Sequence, residues 1–339
     1  MSANRWFFRI SLLATVLAFG VVSLGAFVRL SNAGLGCPDW PGCYGHIGVP
    51  EASQAVARAN AAYPGRPVVA AKGWKEMIHR YFAGTLGLLI AAAAALAWRN
   101  RRRTGQPVGV PLFLVLMVIV QAALGMWTVT WKLKPVVVMG HLLGGLTVLS
   151  LLWWQTLRAG RLLPRLTLPR VAGLKAALAI GLIVVVCQIA LGGWTSSNYA
   201  AVACNEFPTC TNGAYWPADA DFASGFTLWH RIGPDYEYGQ HLSHQAKEAI
   251  HLTHRLGALV TTVFVVALAL VLWRAVPGTA SNVAAVVLAV VLTLQVVLGI
   301  SNVVFNLPLP VAVAHNAGAA LLLLVFVTLN HLVRPPEAP

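Results

Sequence analysis

Runs of about 20 apolar residues recur along this 339-residue chain, each long enough to cross a bilayer as a helix. Lipid offers no hydrogen bonds to a backbone, so only helices and closed barrels span it. Barrel strands alternate polar and apolar residues, and these runs do not. Only 10% of the residues are charged and 58% are hydrophobic, whereas soluble chains carry about 25% charged residues. The sequence therefore predicts an all-α membrane protein with eight transmembrane helices. They fall at about 7–29, 76–98, 110–131, 136–158, 172–194, 248–273, 281–304 and 311–333. The first run, after Arg5, is too long for a signal-peptide core and has no clear cleavage site, so it reads as a retained helix.

The breaks between spans set the orientation. "RNRRRTGQP", "LRAGRLLPRLTLPR" and "RAVPGTASN" follow the second, fourth and sixth spans. Arg99, Arg101, Arg102, Arg103, Arg158, Arg161, Arg165, Arg170, Arg274 and Arg334 thus share the side of the N-terminus. Basic residues in short loops mark the cytoplasmic face, so both termini are expected there, in a cell inner membrane. The net charge of +14 is then a topology signal and calls for no nucleic-acid partner. Two long loops, about 30–75 and 195–247, face the periplasm or exterior. They hold Cys37, Cys43, Cys204 and Cys210, in "CPDWPGC" and "CNEFPTC". An oxidising exterior permits a disulfide within each pair, which would stiffen a short turn; metal binding is the rival reading. Cys187 falls inside the fifth span and is expected to be a small buried hydrophobe.

The chain repeats itself. "SLGAFVRLSNAGLGCPDWPGC" matches "ALGGWTSSNYAAVACNEFPTC", pairing Cys37 with Cys204 and Cys43 with Cys210. "EMIHR" matches "HLTHR", pairing His79 with His254 and Arg80 with Arg255; "HLLGG" matches "HNAGA", pairing His141 with His315. Order and spacing hold across these blocks, apart from an insertion in the second outer loop. Two parallel repeats of four helices follow, as pseudo-symmetric bundles over residues 1–160 and 161–339. Gln121, Gln188 and Gln295 each precede a Leu-Gly step by three residues, where the first span has Val21 before Leu24-Gly25. Close helix packing at the glycine is one reading; room for a flat ligand is the other.

Polar groups within spans are costly and commonly functional. His79, His141, His254 and His315 lie near the starts of the second, fourth, sixth and eighth spans. All four helices run the same way, so each half brings two imidazoles to one depth. A single intramembrane histidine is more often a hydrogen-bonded interfacial residue. Four in matched pairs favour ligation. Zinc calls for three or four ligands, often cysteine or carboxylate. Two imidazoles between apolar walls suit the axial positions of a haem better, with copper a weaker fit. His46, His230, His241 and His244 fall in the outer loops; "HLSH" reads as solvated loop before metal site. His331 is interfacial. His251, three residues before His254, shares its side of the helix.

The halves differ at one matched place: Glu76 stands where the second copy has His251. Residues three apart on a helix are neighbours, so Glu76 lies beside whatever His79 touches. There a carboxylate can accept a proton, orient water or stabilise a developing cation. This suggests a division of labour, with a substrate beside Glu76 and a permanent cofactor in the other half. Arg80 and Arg255 are placed to pair with porphyrin propionates or, equally, with nearby acids or carbonyls of the protein.

Together "EMIHRYFAG", "MGHLLGG", "IHLTHRLGA", "VAHNAG" and the outer cysteine pairs resemble the haem A synthase family over essentially the whole chain. The resemblance implies oxidation of the C8 methyl of haem O to a formyl group, by successive hydroxylations and loss of water. It implies haem b on His254 and His315, with Arg255 nearby. It implies substrate haem O bounded by His79 and His141, with Arg80, and a catalytic Glu76. Cys37–Cys43 matches the family's functional loop pair, and Cys204–Cys210 a second pair that not every member has. Haem O synthase and oxidase assembly factors are the partners it suggests; it names no electron-transfer partner. A two-haem cytochrome b carrier and a haem chaperone are the alternative functions.

Overall fold

The computed structural model describes residues 2–103, 105–160, 173–229, 242–275 and 279–333. His230, His241, Arg161, Arg165, Arg170 and Arg334 lie outside the described residues. The helices are α1 (Ser2–Leu30), α2 (Ser53–Ala62), α3 (Ala70–Arg99), α4 (Gly109–Thr130) and α5 (Pro135–Gly160). They continue with α6 (Leu174–Ser197), α7 (Phe222–Gly225), α8 (His244–Ala275), α9 (Thr279–Val304) and α10 (Leu309–Leu332). All but α2 and α7 are long and apolar enough to cross a membrane, which gives eight candidate spans. The described residues contain no β-strand, only the isolated bridges Cys43–His46 and Thr211–Ala214.

Each expected span is found, but several helices run beyond it. α3 starts at Ala70 and α8 at His244, ahead of the apolar stretches that revealed them. Hydropathy locates the part of a helix that lipid can cover; the backbone ladder continues into the polar layer. α2 and α7 lie within the outer loops, where no apolar run marks them.

Helix α1 packs on α3 and α5, and α4 on the same two; α6 packs on α8 and α10, as does α9. These groups join where α1 meets α10 and where α5 meets α6 and α10. One apolar core runs through the join, with Leu149, Leu152, Leu178, Leu288 and Phe326 fully buried. Lipid is as apolar as leucine, so such a core gains from packing and from interhelical hydrogen bonds rather than from water exclusion. Gln155 Nε2 donates to Ser11 Oγ at 2.8 Å, and the Thr15 and Thr156 hydroxyls meet at 3.0 Å. Trp153 Nε1 donates to Thr328 Oγ1 at 2.8 Å across the join. Near its other end, Arg29 Nη2 donates to the Ser196 carbonyl at 2.7 Å while the guanidinium lies over the Tyr199 ring.

Outward faces carry Val16, Leu88, Ile119, Ile183 and Leu259, all exposed on the isolated chain; lipid covers such residues without cost. Cys187 belongs to this surface. It is a free thiol on the exposed face of α6, beside Ile183 and Val186, and so is not the buried hydrophobe expected from its position in a span. Helical phase, which hydropathy alone does not fix, turns it outward. The short turns α4–α5 and α9–α10 are built alike: Lys132 and Leu133 have φ of 49° and 59°, Asn306 and Leu307 of 55° and 60°.

Candidate functional site

His79, His141, His254 and His315 stand on α3, α5, α8 and α10, between six and ten residues into each helix. At a rise of 1.5 Å per residue that is a depth of about 9–15 Å. Each ring lies against a glycine of the neighbouring helix. A Cβ added at Gly25 of α1 would sit 3.0 Å from His79 Cε1, and one at Gly192 of α6 3.0 Å from His254 Cε1. At Gly125 of α4 it would lie 3.4 Å from His141, and at Gly299 of α9 3.0 Å from His315. These are the glycines of the four Leu-Gly steps. The room that they leave beside the backbone is taken by an imidazole, which is the close packing expected at such glycines. His79 and His141 lie near enough to interact electrostatically, as do His254 and His315.

One turn deeper the glutamines take part. Three residues beyond the histidines stand Gly144, Gly257 and Gly318, and an added Cβ there would collide with the amides of Gln121, Gln188 and Gln295. Gln188 Nε2 lies 3.0 Å from His254 Nδ1 and donates to the His254 carbonyl at 3.1 Å. Gln295 Nε2 lies 3.4 Å from His315 Nε2. Both amide atoms of Gln121, by contrast, are buried with no hydrogen-bond partner. At His79 the corresponding positions are Val21 and Phe82, which offer no amide at all.

Above the histidines sit the two cysteine loops. Cys37–Cys43 and Cys204–Cys210 are both disulfides, so metal binding by these pairs is not what the structure has. Glu76, buried on α3, accepts from the Cys37 N–H at 3.0 Å through Oε2 and pairs with Arg80 through Oε1. His251, buried at the matched place on α8, accepts from the Cys204 N–H at 3.1 Å through Nδ1. Glu76 and His251 thus make the same bond to the first cysteine of their loops. Arg80 donates to the carbonyls of Asp39, Pro41 and Gly42. Arg255 donates to Thr209, Cys204 and Glu206 at 2.8, 2.8 and 2.9 Å, and to His251 Nε2 at 3.3 Å. A guanidinium has five N–H donors; Arg80 turns Nη1 to the loop carbonyls and Nη2 to Glu76, while Arg255 turns both Nη1 and Nη2 to loop carbonyls.

The loops carry further matched supports that sequence reasoning missed. Asp39 accepts from the Tyr44 and Gly45 amides at 2.6 and 2.7 Å. Glu206 accepts from the Thr209 hydroxyl and the Gly213 amide, which hold its carboxyl below the usual range. Tyr44 donates to the Arg66 and Pro67 carbonyls, and burial pushes its phenol up. Both loops reach the α4–α5 turn ahead of His141. Gly34 lies against Leu133, and Trp229 of the second loop stacks over the buried Lys134 ammonium at 3.1 Å. The part of the second loop described here therefore lies partly over the first group of helices. His244 meets the buried Glu248 carboxylate at 3.3 Å and His46 shares a backbone bridge with Cys43.

The donor set fits a haem. Nδ1 of His79, His141 and His315 is buried without a partner, and leaving a buried polar atom unpaired costs about 1–3 kcal/mol. Among the described residues no three or more His, Cys, Asp or Glu side chains gather as a metal site. Imidazoles in twos suit a group that brings its own equatorial ligands and needs only axial ones.

Comparison with known proteins gives the same direction. A "Heme A synthase" of Shewanella oneidensis is 45% identical over 331 residues, covering 97% of this chain and 96% of that protein. Proteins of the same name from Caulobacter sp. strain K31 and Allorhizobium ampelinum are 29% and 28% identical, each across 95% of this chain and 94% and 89% of their own lengths. The profile of the COX15-CtaA family, described as cytochrome oxidase assembly protein, matches residues 8–327. A match of that extent, on a chain with eight spans and paired imidazoles, means that this protein belongs to the COX15-CtaA family.

Proposed function

We propose that this chain is a haem A synthase, an oxidoreductase that converts haem O to haem A. The C8 methyl becomes a formyl group by successive hydroxylations and loss of water. The relatives that match along its whole length carry that name. The observation that carries the reading is a chemical difference between two matched sites: Glu76 and His251 bond the same loop atom, yet only Glu76 can hold negative charge.

The helices divide into two pseudo-symmetric four-helix bundles, residues 1–160 and 161–339. Matched neighbours, turns and disulfide loops support this division. In the second bundle, His254 and His315 hold haem b, which supplies reversible one-electron chemistry when bound. In the first, His79 and His141 bound the substrate haem O. Arg80 and Arg255 act through the loops that they hold, which close the outer mouths of the two sites and exclude water. Arg80 and the Cys37 amide fix the plane of the Glu76 carboxylate one turn above His79. Each carboxylate oxygen keeps a further lone pair, so Glu76 can take a proton from the substrate side without losing its supports.

The chain resides in a cell inner membrane with both termini in the cytoplasm and the disulfide loops outside. Arg99, Arg158 and Arg274 lie in the last turns of α3, α5 and α8, Arg101–Arg103 follow α3, and disulfides suit an oxidising face. Haem O comes from a haem O synthase, and the product passes to oxidase assembly.

Three outcomes are expected. Replacement Glu76→Gln should lower conversion of haem O by about 10²-fold or more, with Cys37 and Cys43 still protected from thiol reagents and the bound haem b spectrum intact; near-normal turnover would remove Glu76 from the chemistry. His254→Ala or His315→Ala should abolish the low-spin haem b signal of the purified protein, and an unchanged spectrum would sink the cofactor assignment. A fluorescent protein fused after Pro339 should fold and glow in cells, whereas activity only of an export-dependent reporter would reverse the topology.

A further inference from the structure

Two lysines stand at the outer end of the first group of helices. Lys75 is on α3, four residues before His79, and so on the same face of that helix one turn further out. Lys134 closes the α4–α5 turn, seven residues before His141. Its carbonyl accepts the Val138 N–H at 3.0 Å, so it is in register with α5, and seven residues are close to two full turns. At 1.5 Å per residue the two lysines stand about 6 and 10 Å outward of the histidines. α1 and α4 each pack on both α3 and α5, so the lysines belong to opposite corners of the bundle.

Neither ammonium has an anionic partner. Lys134 is 2% exposed, and its Nζ lies over the Trp229 ring at 3.1 Å and 5.8 Å from the Trp131 ring centre. Lys75 Nζ lies over the Phe27 ring at 5.3 Å. Among the described residues the ion pairs are Arg80–Glu76 and His244–Glu248, and neither lysine takes part. An ammonium has three N–H donors, and a buried charge is costly unless it is paired. The second copy has no such cations: Ile250 stands at the place of Lys75 and Pro308 at that of Lys134.

A haem between His79 and His141 carries two propionates on one edge of its ring. Carboxylates are costly in lipid, so that edge points outward, towards the level of the lysines. Arg80 is turned to the loop carbonyls and Glu76. We infer that Lys75 and Lys134 are the substrate-binding cations of the first bundle, one for each propionate of the incoming haem. They exchange aromatic contacts for charge-assisted hydrogen bonds to it, and their flexible stems let them follow a ligand that comes and goes. This rests on the placing of haem O between His79 and His141. The lysines act on binding and orientation, not on the methyl group that is oxidised.

The test titrates the full-length purified protein, with its haem b in place, with haem O and with haem O dimethyl ester. The ester keeps the iron and the ring but neither charge. The wild-type protein should bind the free acid about tenfold or more tighter than the ester. Lys75→Met and Lys134→Met should each weaken binding of haem O about tenfold and leave the ester unchanged. Both changes together should abolish the preference for the acid. Lys134→Arg, which keeps the charge, should preserve it. The haem b spectrum of each variant reports whether the fold is intact. Equal binding of acid and ester by the wild-type protein overturns the inference without any substitution. So does unchanged binding of haem O in both methionine variants, or an equal loss for acid and ester, which a packing role would give. If His79→Ala and His141→Ala leave haem O binding unaltered, the placing of the substrate fails instead, and the two failures are thereby told apart.

Discussion

An imidazole inside a lipid-length helix must be packed without a void. Here that is done by setting each ring on the bare backbone of the neighbouring helix, at Gly25, Gly125, Gly192 and Gly299. A Cβ at Gly25, Gly192 or Gly299 would press on a ring at 3.0 Å, whereas one at Gly125 would just touch His141 at 3.4 Å. The pairings α1 with α3, α4 with α5, α6 with α8 and α9 with α10 are therefore fixed at the level of the histidines. The glycine contacts thus give the four imidazoles a common geometry.

The outer loops are fastened to the same helices one turn above. A disulfide closes each loop, an arginine gathers its carbonyls, and Glu76 or His251 receives the first cysteine amide. Each loop is thus tied to the helix that carries the histidine below it. A change at the disulfide loop of the first bundle is felt by Glu76 directly, through a single hydrogen bond. In the second bundle the same bond ends on a neutral ring. The two sites share a scaffold and differ in charge just where a reacting group would lie.

Much of this was legible in the sequence, for physical reasons that also mark where legibility stopped. Lipid imposes a length and an apolarity on each span, so all eight were visible; the extension of α3 back to Ala70 was not, since lipid does not cover it. α2, the run SQAVARANAA, is short, of low mean hydropathy, and has no side-chain cap to announce it. The internal repeat exposed His79, His141, His254 and His315 together with Glu76 against His251. It could not say that Arg80 and Arg255 point at loop carbonyls, because a guanidinium serves porphyrin carboxylates and backbone oxygens with the same donors. The glutamines and glycines were seen as a recurring pattern, but only coordinates show that each Leu-Gly glycine seats an imidazole. Cys187 is exposed and not buried because a span's apolarity does not tell which side of it faces outward.

The central claim is that one bundle keeps a cofactor and the other holds a substrate. Extraction and identification of the haems bound to the purified wild-type protein tests it most directly. The account predicts haem B together with haem O or haem A in the same preparation. Haem B alone, filling both bundles, would contradict it and would make the chain an electron carrier.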